Sequence, residues 1–337
     1  MSKGKETATA SAGHDNLPWV EKYRPSSLDD ISGQESIVAT VKKFLAADRL
    51  PHMLFYGPPG TGKTSTILAI AREIYGRAYK GSVLELNASD DRGIDVVREQ
   101  IKLFASTKQM FSKNKMKLII LDEADAMTQA AQNALRRIME KYTSNTRFCI
   151  LANYSHKLTP AILSRCTRFR FSPLSDEAVR SQVQKVVQSE SLSVDDGAID
   201  ALVDLSKGDM RRALNVLQAC AASKEEFEPI TTNMVYACVG APRPQDLEGI
   251  LEHIMSKEWV EAYDEVMKAK ALHGLALQDL LTGLANIIEG LELTPAARIA
   301  MLDEMAQIEY RLSGGGNEKI QTSAVIGAIK KGLELQT

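Results

Sequence analysis

A chain of 337 residues is too long for one compact hydrophobic core and is expected to divide into two or three domains. Its composition, 44% hydrophobic and 25% charged with a net charge of −2, is ordinary for a globular chain; it excludes a protein coated in nucleic acid but leaves room for a local basic face. No window approaches a membrane-spanning apolar run, the N-terminus lacks the apolar core of a signal peptide, and the four scattered cysteines read as reduced, packed thiols of a cytosolic or nuclear protein.

Met1 to Asn16 is rich in Ser, Ala, Gly, Thr and Lys without periodicity, the pattern of a disordered tail. Leu17 to Pro25, LPWVEKYRP, opens the globular part; its bracketing prolines predict an extended arm rather than a helix. An amphipathic helix follows, with Ile37, Val38, Val41, Phe44 and Leu45 on one side. The apolar run His52 to Tyr56 then leads into GPPGTGKTS, and behind it lies a run with helical spacing, Ile67, Leu68, Ile70, Ala71 and Ile74. Strand, glycine-rich turn and helix is the context that makes GxxxxGK[ST] a phosphate site. Gly57, Gly60 and Gly62 let the backbone approach an anion, and the N–H groups of the loop Pro58-Pro59-Gly60-Thr61-Gly62-Lys63-Thr64-Ser65, which the two prolines lack, face it with the helix N-terminus. Lys63 can reach the β- and γ-phosphates, and the Thr64 hydroxyl can ligate Mg²⁺.

Further strands are expected at Val83–Asn87, Lys117–Asp122, Arg147–Asn153 and Arg168–Phe171, with helices carrying Ile94, Val97, Ile101 and Leu103, and spanning Gln129 to Tyr142. That alternation predicts a parallel sheet covered on both faces, its chemistry at the carboxyl ends of the strands. Asp122 and Glu123 end the third strand, placed to hold Mg²⁺ and to orient an attacking water; the same letters also suit a helix start. Asn153 ends the adjacent strand, as a partner for phosphate or water or as a turn residue. Arg165 is a candidate arginine finger for a neighbouring subunit, or a solvated or Glu-paired surface arginine. Arg211, in GDMRRALNVL, either reaches back to the nucleotide or merely begins a helix. After Pro173 the β signal stops: residues 175–239 read as helical, APRP at Ala241–Pro244 as a linker, and four amphipathic helices follow Asp246 with no catalytic residue among them. Those helices fill a bundle core, bury a face against a neighbour, or do both.

The combination VEKYRP, GPPGTGKT, ELNASDDRGID, LDEAD, LAN, SRC and GDMRR resembles the small subunits of replication factor C, clamp-loader ATPases of the AAA+ class, from Leu17 to the C-terminus. The tail SGGGNEKIQTSAVIGAIK is most similar to the third-subunit branch of the fungal family. The resemblance implies an α/β domain over 17–174 with its sheet in the order 5-1-4-3-2, a helical lid over 175–239, and an all-α collar over 240–337 that joins five subunits into a ring. It implies that Val20, Arg24, Ile31 and Ser32 line the adenine and ribose of ATP. Lys63, Thr64, Asp122, Glu123, Asn153 and Arg211 would then serve this subunit's own ATP and Mg²⁺, and Arg165 the neighbour's. The implied partners are other replication factor C subunits, the sliding clamp PCNA and primer–template DNA, in the nucleus.

Charge is polarised: Lys102 to Lys117 holds five lysines and no acid, and Lys141 to Arg170 six basic residues and no acid. Arg98 and Lys102 share a helical face, and Arg92 opens the same helix, which by resemblance tracks the duplex backbone without reading bases. Any one of these lysines is by default a solvated face. Gln109, Met110 and Phe111 lie among lysines and are either ordinary packing or, by resemblance, a plug for the clamp's apolar patch. A DEAD-box helicase would need a second strand-rich domain where this chain is helical. A scaffold that binds ATP without hydrolysing it is disfavoured by Glu123 and Asn153.

Overall fold

The computed structural model describes residues 17–47, 49–88, 94–107, 116–225 and 228–336, with backbone alone for 94–98. It falls into two units, Met1–Pro229 and Ile230–Thr337. The expected N-terminal tail lies outside the described residues.

The arm is not extended. It holds one helical turn, α1 (Trp19–Lys22), because Pro18 sits just before the turn and its carbonyl accepts from the Glu21 and Lys22 amides at 2.8 and 2.9 Å, while Pro25 restrains only the residue before it. Helix α2 (Glu35–Ala46) then buries Ile37, Val38 and Val41. The α/β part runs β1 (Met53–Tyr56), α3 (Lys63–Tyr75), α4 (Tyr79–Ser82), β2 (Val83–Asn87), α5 (Ile94–Ser106), β3 (Lys117–Asp122), α6 (Gln129–Tyr142), β4 (Thr146–Ala152), α7 (Pro160–Leu163) and β5 (Thr167–Arg170). All strand pairs are parallel, in the order β2-β3-β4-β1-β5. This is the implied order read from the other edge.

Alternation divides the strand side chains between two cores. Met53, Phe55, Leu118, Ile120, Cys149, Leu151 and Phe169 join α2 and α3 on one face; Leu54, Ile119, Leu121, Phe148 and Ile150 join α5, α6 and α7 on the other. Each of these side chains, fully buried, contributes about 1.5–3 kcal/mol, so both faces must stay covered. On α5, Ile101 and Ala105 are buried but Leu103 is 69% exposed, which corrects its expected place on the packed face: Ile101 and Ala105 lie one turn apart, and Leu103 points away from both. The connection out of β1 runs to β2 at one edge and that out of β4 passes beyond β1 to β5, so the crevice opens at the carboxyl ends of β1, β3 and β4.

Three helices complete the first unit: α8 (Asp176–Ser189), α9 (Asp196–Ser206) and α10 (Met210–Ser223). Ser175 and Asp209 cap α8 and α10, each side chain accepting from backbone amides of its own first turn.

The second unit begins with α11 (Thr232–Val239), expected with the preceding helices, and continues with α12 (Pro244–Ser256), α13 (Trp259–His273), α14 (Leu277–Gly290), α15 (Pro295–Ser313) and α16 (Glu318–Glu334). Counting α12, which holds Asp246, five helices run to the end of this unit rather than four. The chain breaks at Lys257-Glu258, where both residues turn extended, so that Leu247–Met255 and Tyr263–Met267 lie on separate helices. Pro244, expected in the linker, is the first residue of α12, where its missing N–H costs nothing. Of the apolar positions on the last two helices, Ile299 and Ile320 are 68% and 65% exposed, whereas Met301, Met305 and Ile308 on α15 and Val325, Ile326 and Ile329 on α16 fill the core. No single described helix is long and apolar enough to cross a membrane.

Candidate nucleotide site

Residues Gly57 to Gly62 leave β1 and enter α3 at Lys63, with Gly62 as N-cap at φ 94°, a region closed to most side chains. Gly60 is needed for a second reason: a Cβ there would lie 1.6 Å from Asp209 Oδ1, so only glycine lets the α10 cap press against the loop. The Met210 amide donates to the Gly60 carbonyl at 3.3 Å, which joins loop and helix directly.

Lys63 is buried. Its Nζ donates to the Gly57 and Pro58 carbonyls at 2.7 Å each and to Asn153 Oδ1 at 3.0 Å. Burial pushes the ammonium down to about 8; Asp122 opposes this, Arg211 adds to it, and Asp125 and Asp209 oppose it further. Beside it, Thr64 Oγ1 donates to Asp122 Oδ2 at 2.9 Å, while Asp122 Oδ1 accepts from the Glu123 amide at 2.9 Å. Glu123 itself has φ 54°, a left-handed conformation that costs an ordinary side chain on the order of 1 kcal/mol. The Asn153 amide donates to Asp125 Oδ1 at 3.3 Å and fixes the end of β4.

One cleft gathers Val20, Arg24, Ile31, Ser32, Pro59 to Ser65, Asp122, Glu123, Asn153 and Arg211. Gly57 and Pro58 enter through the carbonyls that hold Lys63. The cleft also takes in residues that sequence reasoning passed over: Tyr23, Pro25, Asp30, Leu174, Gln182, Met210 and Leu214. Asp209 was legible as an N-cap acid directly before a helical run; Gln182 sits in no motif and no pattern marks it. The Thr64 hydroxyl and the Asp122 carboxylate are adjacent hard-oxygen donors of the kind Mg²⁺ takes, and no group of three or more metal-ligating side chains exists among the described residues. That donor set fits an ion completed by phosphate and water rather than a protein cage.

Residues 53–174 match the AAA family, described as ATPase family associated with various cellular activities; residues 181–222 match the RCF1/5-like AAA+ ATPase lid domain, and 242–328 the replication factor C C-terminal domain. Replication factor C subunit 3 of Saccharomyces cerevisiae is 57% identical over 334 residues, 98% of each chain. Replication factor C subunit 5 of Homo sapiens is 52% identical over 316 residues, 94% of this chain and 92% of the relative. The chain belongs to the replication factor C subunits. Its fold is accordingly an AAA+ α/β domain, a helical lid and a replication factor C C-terminal helical domain, and its fungal relatives named subunit 3 include one from Blastobotrys adeninivorans, 56% identical over 336 residues. Thermotoga maritima RuvB, a Holliday junction branch migration motor, shares the fold alone, at 18% identity and TM-score 0.51 over 81% of this chain and 93% of that one.

The remaining expectations of the replication factor C resemblance fall outside the cleft. Arg165 does not line it; its guanidinium pairs with Glu140, and Nη1 donates to the Ala161 carbonyl at 2.6 Å. Lys102 is exposed on α5. The backbone of Arg98 is helical, but its side chain, together with Arg92, Gln109, Met110 and Phe111, lies outside the described residues.

Proposed function

We propose that this subunit binds and hydrolyses ATP within a hetero-pentameric replication factor C clamp loader, which opens PCNA and places it on primer–template DNA in the nucleus. The observation that carries the reading is the Lys63 cluster: a buried ammonium tied to loop carbonyls and Asn153, beside the Thr64–Asp122 pair and within reach of Glu123 and Arg211 in one cleft. A triphosphate entering the loop replaces the two carbonyls as Lys63's partner, and its charge restores the ammonium that burial weakens. Thr64 and Asp122 would hold Mg²⁺, which would supply charge neutralisation to the phosphates. Glu123 accepts the proton of the attacking water, and Asn153 orients that water against the γ-phosphate. Arg211, on the helix whose cap touches Gly60, makes the lid responsive to phosphate. Arg165 faces away from its own cleft, which supports its use at a neighbour's. By the same resemblance the exposed Lys102 face serves the DNA backbone, with Arg98 and Arg92, and Gln109, Met110 and Phe111 serve the clamp.

The alternative is a subunit that binds ATP only to hold the ring together. Purified loader carrying Lys63→Ala or Glu123→Gln in this subunit separates the two. Hydrolysis stimulated by primed DNA and PCNA should fall by this site's share, with nucleotide binding lost in the first variant and kept in the second. Unchanged hydrolysis per loader in both would make the site a structural one.

A further inference from the structure

The arm that lines the cleft is fastened to the lid at two points outside the phosphate loop. Glu190, the residue that ends α8, accepts on Oε1 from Tyr23 Oη at 2.5 Å and from Lys22 Nζ at 2.7 Å. Gln218 on α10 accepts on Oε1 from the Trp19 amide at 3.0 Å. The residues so held are the neighbours of Val20 and Arg24, which line the cleft with Met210, Arg211 and Leu214 of the lid. Lys22 and Tyr23 keep the Glu190 carboxyl below its usual range, so it is ionised at neutral pH and both bonds are charge-assisted. Its side chain is 20% exposed, and that of Lys22 is 22% exposed, so the pair is partly shielded from water and salt. No catalytic or binding motif contains Glu190.

We propose that Glu190 is a positioning residue for the nucleoside end of the ligand: it makes the arm and lid one clamp, so that the wall formed by Val20 and Arg24 closes and opens with the wall formed by Met210 and Leu214. The inference rests on the reading of the cleft as an ATP site. The phosphate loop is built from β1 and α3, whereas Val20 and Arg24 lie on the arm between residues that the lid holds. Loss of the latch therefore separates the two ends of the ligand. Full-length wild-type protein and the Glu190→Ala and Glu190→Gln variants should be titrated with ATP and with inorganic tripolyphosphate, which lacks base and ribose. Charge-assisted bonds of this kind, when broken, are worth about a tenfold loss. We expect ATP to dissociate about tenfold faster from Glu190→Ala, with tripolyphosphate affinity unchanged and Glu190→Gln intermediate, because its amide oxygen still accepts from Tyr23. Equal ATP dissociation in wild type and Glu190→Ala overturns the proposal. So does a parallel loss of tripolyphosphate, which would mean a generally loosened fold. Failure of the wild type to bind either ligand would instead sink the reading of the cleft itself.

Discussion

The two units differ in how many polar side chains they bury and how much apolar surface they leave exposed. The first, twice the length of the second, buries polar side chains and gives them partners: Lys63 in the loop, and Lys117, whose Nζ donates to the Phe104 carbonyl at 2.7 Å and to Thr107 Oγ1 at 2.8 Å. Among its described residues only Leu17, Leu103 and Tyr154 are exposed large hydrophobics. The second unit leaves eight exposed among its described residues, including Leu272 at 79%, Tyr310 at 80%, Ile299 at 68% and Val260 at 65%, and stacks Trp259 on Tyr263 with ring centroids 5.5 Å apart. A shorter chain segment thus shows more apolar surface than its core requires. Buried, partnered polar groups such as Lys63 belong to the first unit's site and others such as Lys117 to its fold; surplus apolar surface marks where a neighbour is wanted.

The largest effect belongs to the first unit. Arg165→Ala should leave ATP affinity at this subunit unchanged and lower hydrolysis at the adjacent site by about 10³-fold or more, the range for an arginine finger. Site-resolved hydrolysis in loaders where only that neighbour retains its phosphate-loop lysine measures it. An equal loss in the isolated chain would assign Arg165 to its own cleft and erase the contrast between a site that is complete within one chain and one that is shared.

The core of the second unit gives the next effect. Leu284, 2% exposed on α14, packs among Leu280, Leu281 and Ile288. Leu284→Ala should cost about 2–5 kcal/mol of that unit's stability, seen as a lowered melting transition, with ATP affinity at the phosphate loop unaltered. A matching drop in ATP affinity would mean that the units are not separable in the way their cores suggest.

The first unit was the more legible of the two because its signals are local. GPPGTGKTS between an apolar strand and a helical run allows one geometry, and KLIILD followed by Glu123 allows one strand end, so Lys63, Thr64, Asp122 and Asn153 converge as their spacing suggests. What escaped was tertiary. Nothing in the sequence says that Glu190 meets Tyr23 or that Asp209 presses on Gly60, since those pairings exist only once the lid is folded back. In the second unit the apolar spacing is so dense that several helical faces fit it. Ile299 and Ile320 satisfy the same periodicity as Met301 and Val325, and only packing chooses between them. The break at Lys257-Glu258 was hidden for the same reason, as it interrupts no polar signal.

That ambiguity makes Ile299 and Ile320 the sharper probes of the second unit. Ile299→Ser and Ile320→Ser should change its stability by less than about 0.5 kcal/mol, as exposed substitutions do. If the surplus apolar surface is an assembly face, native mass measurement should nonetheless show weakened association with the other subunits. A destabilised chain with intact assembly would place these residues in the fold rather than at a neighbour.

The smallest expected effect tests the buried charge in the first unit. With its ammonium pushed down to about 8 by burial, Lys63 is mostly protonated at pH 7 and mostly neutral at pH 9. A bound triphosphate raises that value again, because a polyanion stabilises the charged form. Binding must then take up a proton wherever the free site lacks one. The uptake should rise from near zero at pH 7 toward about one per site at pH 9, read from binding enthalpies in buffers of different ionisation heat. Lys63→Arg, whose guanidinium stays charged throughout this range, should abolish the uptake whatever it does to affinity. Uptake that persists in Lys63→Arg would locate the titrating group elsewhere, and would mean that the loop carbonyls and Asn153 hold Lys63 charged despite its burial.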